Sequence, residues 1–431
     1  MANSIASYNK TSLMYRNGQV MTRIKADIDV AMDTLSTIAT TRSEGLTTVG
    51  NFTNNTDGGG GGPFILYPYM MAPKEFVVPI YGFFTPFLII LTIVTNTLVC
   101  VVLMKKNMRS PTNTLLVAMA VSDMFTGIFP MPVFLHFYAF GYFKDYVSID
   151  WCYLYLYFSD IIPTIFHTAS IWLTMGLALQ RYIYVCYSIK AKQWCTIPAT
   201  IKGIIVAYVL AILSQASKFG ENIIDPIEVD SQRTPGEIFT GCLLQRRSWV
   251  LSIEDIYYNI YFWFRVIFIH MIPCTSLVVL NALLIHAMKN AQKRRQMLLK
   301  QNRKSESKKL KDSNCTTLML VAVVGVFLLV EVPQGVVFII IIVENTFKIG
   351  LVPPITMNTI ALFTNFFIIF SYPLNFFIYC GMSRQFRDTF RRLFSRGTAP
   401  SDREHSQYTA LATENGKSAY LTTPATGDTA I

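Results

Sequence analysis

Seven stretches of nearly unbroken apolar residues occupy the middle of the chain, at about residues 78–104, 112–137, 153–185, 199–219, 259–288, 315–343 and 355–379. Each has the roughly 20 residues that a helix needs to cross a hydrocarbon core. A backbone in lipid has no water to bond to, so such segments satisfy their amides as helices. Ser110 and Pro111 suit the N-cap and first helical position of the second segment. Lys202, Gln215 and Lys218 make the fourth the weakest. After the seventh, Phe386, Phe390, Leu393 and Phe394 recur on one helical face among Arg384, Arg387, Arg391 and Arg392. That spacing predicts an amphipathic eighth helix lying on the membrane. The pattern therefore predicts an all-α membrane protein, a seven-transmembrane helix bundle plus helix 8 over residues 76–394, between disordered tails at 1–75 and 395–431.

Composition agrees. Of 431 residues, 52% are hydrophobic and only 15% charged, against about a quarter charged in soluble chains. A net charge of +11 raises the question of nucleic acid. Its placement excludes that reading, because the basic residues cluster between apolar runs. Lys105, Lys106 and Arg109 follow the first segment, Lys190 and Lys192 the third, and "KNAQKRRQMLLKQNRKSESKKLKD" the fifth. The positive-inside rule puts these loops in the cytoplasm, with the N-terminus outside and the C-terminus inside. The stretch after the fourth segment instead holds Glu221, Asp225, Glu228, Asp230 and Glu237.

Eight cysteines add a check. Only Cys152 and Cys242 fall on the predicted outer side, where disulfides persist. They are expected to pair, two free thiols being the alternative. The N-terminal tail carries sequons at Asn9, Asn51 and Asn54, candidate glycosylation sites, and shows no signal-peptide pattern. The C-terminal tail is rich in Ser and Thr and ends "DTAI", where Thr429 and Ile431 have the spacing of a PDZ-domain ligand; a pattern this short also arises by chance. No nucleophile–base set or metal motif points to an enzyme. No internal repeat points to a transporter.

"SIWLTMGLALQRYIYVC" places Gln180, Arg181 and Tyr182 at the inner end of the third segment. A lone arginine there is explained by snorkelling. Its company says more. Asn96 in "TNTLVCVVL", Asp123 in "NTLLVAMAVSDM", Pro273 in "HMIPCTSL", Phe327 and Pro333 in "FLLVEVP", and Asn375 and Tyr379 in "LNFFIYCGMSRQFRDTF" together resemble the rhodopsin-like G-protein-coupled receptors. The strings "PTIFHTASIWLTMGLALQRYIYVC", "QWCT", "NCTTLML" and "SYPLNFFIYCGMSRQFR" more narrowly resemble the sex peptide receptor, or myoinhibitory peptide receptor, family. The similarity covers about residues 79–394.

The resemblance implies a receptor for an extracellular neuropeptide, of an amidated myoinhibitory or FMRFamide-like class, coupled to a Gi/o-type G protein and to arrestin, a constitutive orphan receptor being the alternative. It implies that Arg181 meets the G protein on activation. Gln180 stands where the family usually has an acid and should restrain the resting state less. It also implies a polar cluster of Asp123, Asn96, Ser170 and Asn375, joined by Ser371, holding either a sodium ion or water. Glu331 replaces the usual tryptophan switch, Phe376 a proline and Asn281 a tyrosine. Glu331 is either a switch or a structural hydrogen-bonding group. Pro333 is expected to kink its helix. Cys152 precedes Arg181 by 29 positions, about one turn more than usual, which predicts an extra turn or a bulge. Candidate pocket residues on the outer halves of the helices are Asp160, His167, Arg265, Gln334, Phe338 and Asn365.

Overall fold

The computed structural model describes residues 63–68, 73–347 and 349–394. The chain divides into two units, one ending at Ser383 and one beginning at Arg384. The first contains seven long apolar helices: α1 (Lys74–Leu103), α2 (Pro111–Ala139), α3 (Ile149–Cys186), α4 (Ile197–Phe219), α5 (Glu254–Lys300), α6 (Lys304–Phe347) and α7 (Pro354–Met382). All seven apolar stretches are helical. The ends differ most at α5, which outruns its predicted 259–288 at both ends. Hydropathy marks only lipid-facing sequence, whereas a formed helix propagates residue by residue into polar sequence such as Lys293–Arg295.

Local chemistry starts two of the helices. Ser110 caps α2, its Oγ accepting from Asn113 N at 3.1 Å, and Pro111 occupies the first turn. Thr196 does the same for α4 at 3.4 Å. α3 is the hub, packing against α2, α4, α5 and α6. α4 is peripheral: 17% of its apolar window is buried, against 61% for α3.

Three helices widen into π turns just before a proline: Ile80–Phe84 before Pro86, Leu154–Ile161 before Pro163, and Arg265–Met271 before Pro273. Proline lacks an amide and its ring presses on the carbonyl four residues back, so the preceding turn opens. The bulge expected between Cys152 and Arg181 is the π stretch of α3. Pro333, by contrast, lies inside an uninterrupted α-helical run of α6.

A sheet caps one end of the bundle. β1 (Phe64–Ile65), β2 (Asn222–Asp230) and β3 (Ile238–Arg246) pair antiparallel in the order β1-β3-β2. The helix bundle is as expected, and it carries in addition a hairpin between α4 and α5 and a short strand, β1, ahead of α1. Phe64 pairs with Leu244, and Leu66 N donates to Cys242 O at 3.2 Å. β2 is rich in β-branched residues, and its Glu228 and Asp230 are exposed on either side of the buried Val229. Gly241 lets the strands close: a Cβ there would lie 2.8 Å from Val229 Cγ2.

In the second unit, α8 (Arg384–Phe394) aligns its rings, with Phe386–Phe390 centroids 6.4 Å apart and Phe390–Phe394 4.8 Å apart. The sequons at Asn9, Asn51 and Asn54, the tail at 395–431 and its terminal Thr429 and Ile431 lie outside the described residues.

Candidate ligand cavity and signalling core

The sheet is tied to the bundle by a disulfide between Cys152, on the first turn of α3, and Cys242 of β3, with Cα atoms 5.9 Å apart. Both are fully buried. Beneath this end lies a cavity of about 320 Å³, within the usual range for ligand sites. Of the candidate pocket residues, Asp160 and His167 of α3 and Asn365 of α7 line it, with Tyr81, Tyr138 and Tyr155.

Arg265, Gln334 and Phe338 are not among its walls. Arg265 lies in the π stretch of α5, donates to Tyr261 Oη at 3.1 Å, and stacks over Phe338 at 5.0 Å. Gln334 is buried on α6. The acidity expected around this end is also partly cancelled. Glu221 pairs with Lys218 at 2.7 Å and accepts from Tyr258, and Glu254 pairs with Arg246.

The floor of the cavity carries the main polar contact of the core. His167 Nε2 lies 3.2 Å from Glu331 Oε1 on α6, and His270 Nδ1 on α5 lies 3.6 Å from Glu331 Oε2. Glu331 is only 1% exposed. The other nitrogen of His167 meets Tyr372 Oη of α7 at 3.1 Å. One side chain on α3 thus touches the cavity, α6 and α7. The contacts to Glu331 are close but not in hydrogen-bonding alignment. His270 and Tyr372 were missed by sequence reasoning. A histidine inside a membrane span is a functional candidate by default, and that signal was available in "HMIPC".

Deeper in the bundle Asp123 accepts from Ser170 Oγ at 2.8 Å and Asn375 Nδ2 at 3.3 Å. Asn96 is buried but is not among its donors, and Ser371 bonds its own helix at Ile368 O. A cavity of about 20 Å³ joins Asp123, Ser170, Ser371 and Asn375 to Phe327 and Glu331. It has room for one water, and its oxygen donors suit a hard cation. Phe327 packs against Ala178, Leu277 and Val324. Tyr379 is buried, as is Asn281.

At the opposite end Gln180 does not stand loose beside Arg181. It accepts from Thr112 Oγ1 of α2 at 2.9 Å and donates through Nε2 to Thr200 Oγ1 of α4 at 3.2 Å. Gln180 thereby braces α3 to α2 and α4, using both faces of the amide. Arg181 lies over the Tyr184 ring at 5.8 Å. Tyr182 meets Tyr187 edge-on at 6.0 Å.

The profile of the family described as "Serpentine type 7TM GPCR chemoreceptor Srw" matches residues 83–397. The chain is 45% identical to the sex peptide receptor of Drosophila melanogaster over 75% of this chain and 74% of that one. It is 33% identical to sex peptide receptor-related protein 2 of Caenorhabditis elegans, over 75% and 73% of the two chains. The FMRFamide receptor of Drosophila melanogaster is 26% identical over 76% of this chain and 56% of its own.

Proposed function

The chain belongs to the serpentine seven-transmembrane G-protein-coupled receptors, and from that premise we propose that it is a neuropeptide receptor activated by an amidated, myoinhibitory-type peptide. The N-terminus and the sheet face outward, and the basic loops face a heterotrimeric G protein of the Gi/o class. The observation that carries this reading is His167, which lines the cavity and contacts both Glu331 and Tyr372. A ligand that moves this ring changes what α3 says to α6 and α7. Glu331 then serves as the switch, and Arg181 as the group the G protein meets.

Amidation follows from charge. Asp160 lines the cavity and Glu331 lies beneath it. A free C-terminal carboxylate would bring a third negative charge toward two acids, whereas an amide brings none. The FMRFamide-like alternative shares that amide and has the support of the 26% relative. The small cavity beside Asp123 holds a sodium ion or one water, which sodium dependence of peptide affinity would separate. In the tail, phosphorylated Ser and Thr recruit arrestin, and Thr429 with Ile431 binds a PDZ domain.

The test is a G-protein activation screen of cells displaying the chain, run against amidated neuropeptides and their free acids. A myoinhibitory-type amide should activate Gi/o, and its free acid should lose at least tenfold in potency. Arg181→Ala should bind the same peptide without signalling. Silence toward every amidated peptide from a well-displayed receptor would overturn the reading.

A further inference from the structure

α5 carries a buried charge that the bundle leaves unmatched. Arg265, in the π stretch, is only 8% exposed. Among the described residues no carboxylate forms an ion pair with it, and its Nε has no hydrogen-bond partner. Nη1 donates to Tyr261 Oη at 3.1 Å, and the guanidinium lies over the rings of Phe338 and Tyr261 at 5.0 and 5.7 Å. Those contacts orient the group without neutralising it, since a cation–π contact offsets only a fraction of the cost of burying an unpaired charge. Its cationic neighbours are matched, Lys218 by Glu221 and Arg246 by Glu254. An ionisable group left unmatched inside a membrane-spanning helix marks a place where function supplies the partner.

Three features select that partner. First, the guanidinium is held in place. Tyr261 accepts from Arg265 while donating to Gln215 Oε1 of α4 at 3.1 Å, so its hydroxyl is committed on both sides. With Nη1 taken, the Nε edge of the fork stays open to both oxygens of a carboxylate. Gln215 Nε2, at the far end of the same relay, is buried and also lacks an acceptor. Second, a neutral carbonyl would satisfy a donor but leave the charge, whereas a carboxylate answers both. Third, Phe264 and Phe268 are exposed on the outside of α5, while Arg265 turns inward onto Phe338 of α6. That orientation keeps it from lipid phosphates and leaves an extracellular ligand as the source. The cavity has the opposite sign, with Asp160 in its wall and Glu331 beneath it. A ligand spanning the two is oriented by charge, its uncharged or basic part in the cavity and its acid at α5.

We infer, resting on the peptide-receptor reading above, that Arg265 is a second recognition site outside the cavity, which takes the side-chain carboxylate of an Asp or Glu in the activating peptide.

The test uses the full chain in nanodiscs, as wild type, Arg265→Met and Arg265→Lys. Without peptide, Arg265→Met should melt no lower than wild type, because it removes an unpaired buried charge and keeps the packing on Phe338. Replacing chloride by acetate at constant ionic strength should raise the melting temperature of wild type but not of Arg265→Met. A destabilised Arg265→Met, or equal acetate shifts in the two proteins, would overturn the inference. The second arm takes the amidated peptides of the activation screen, each paired with an analogue whose Asp or Glu becomes Asn or Gln. That change should weaken activation of wild type roughly tenfold, affect Arg265→Lys less, and leave Arg265→Met indifferent. Peptides that activate without an acidic residue, or lose nothing on its replacement, would overturn the inference and leave the peptide-receptor reading standing. Silence of every peptide would instead overturn that reading, and the acetate arm would still decide Arg265.

Discussion

Among the described residues, two carboxylates, Asp123 and Glu331, are buried within the membrane-spanning helices, and the protein treats them differently. Asp123 is closed off by neutral donors, a hydroxyl from α3 and an amide from α7, both in hydrogen-bonding geometry. Glu331 is flanked by two imidazoles, from α3 and α5, that come within 3.2 and 3.6 Å without aligning. A fully satisfied buried acid rigidifies its surroundings. A partly satisfied one has another arrangement to move into. The difference suits Asp123 to holding the helices together and, on the proposed function, Glu331 to rearranging when a ligand enters the cavity.

The largest perturbation available is to the end of the bundle above Glu331. Cys152→Ser opens a cross-link spanning 90 residues, expected to cost about 4 kcal/mol. It should abolish peptide binding, and the double variant with Cys242→Ser should be no worse; additive losses would mean that the two cysteines do not act as a unit.

The next experiment strikes the comparison itself. Asp123→Leu orphans Ser170 and Asn375 and should lower stability by about 2 kcal/mol, since each lost hydrogen bond contributes about 0.5–1.5 kcal/mol. Glu331→Leu should lose less stability but shift basal G-protein turnover severalfold. Thermal melting alongside nucleotide-exchange assays would read both, and matching profiles for the two variants would erase the distinction. Glu331→Gln should retain most function. A cycle pairing His167→Ala with Glu331→Leu should reveal a coupling of about 1–2 kcal/mol in agonist efficacy; zero coupling would disconnect the cavity from α6.

Two smaller changes sharpen the boundary. Gln180→Leu leaves Thr112 and Thr200 without their partner and should cost about 1–2 kcal/mol, loosening α2 and α4 from α3 and raising basal activity. Ser110→Ala removes only the cap of α2, about 1 kcal/mol. It should leave signalling unchanged. If it moved basal activity as much as Glu331→Leu does, stability loss alone would explain both.

The sequence by itself determined the seven spans, the sole cysteine pair on one face, and the end at which Arg181 sits. Hydropathy and loop charge are properties of consecutive residues, and the bilayer reads them one segment at a time. The bulge in α3 was legible too, because it is a matter of counting from Cys152 to Arg181. Only the tertiary structure decided which polar groups meet. His270 and Glu331 stand on different helices, and their contact depends on how α5 and α6 are rotated. That rotation cannot be carried along a 3.6-residue period through a π turn. Each extra residue turns the helix beyond it by about 100° relative to an α-helical count. Arg265 lies inside such a turn in α5, which is why its helical position misled about the cavity. The brace made by Gln180 was hidden for a related reason: it rests on a donor and an acceptor aimed at two other helices, and no neighbour in the chain records that. The hairpin of β2 and β3 and its pairing with β1 were likewise hidden. The partner of β1 lies far along the chain, beside the disulfide and the bundle end that β3 covers, so no neighbouring residue records it.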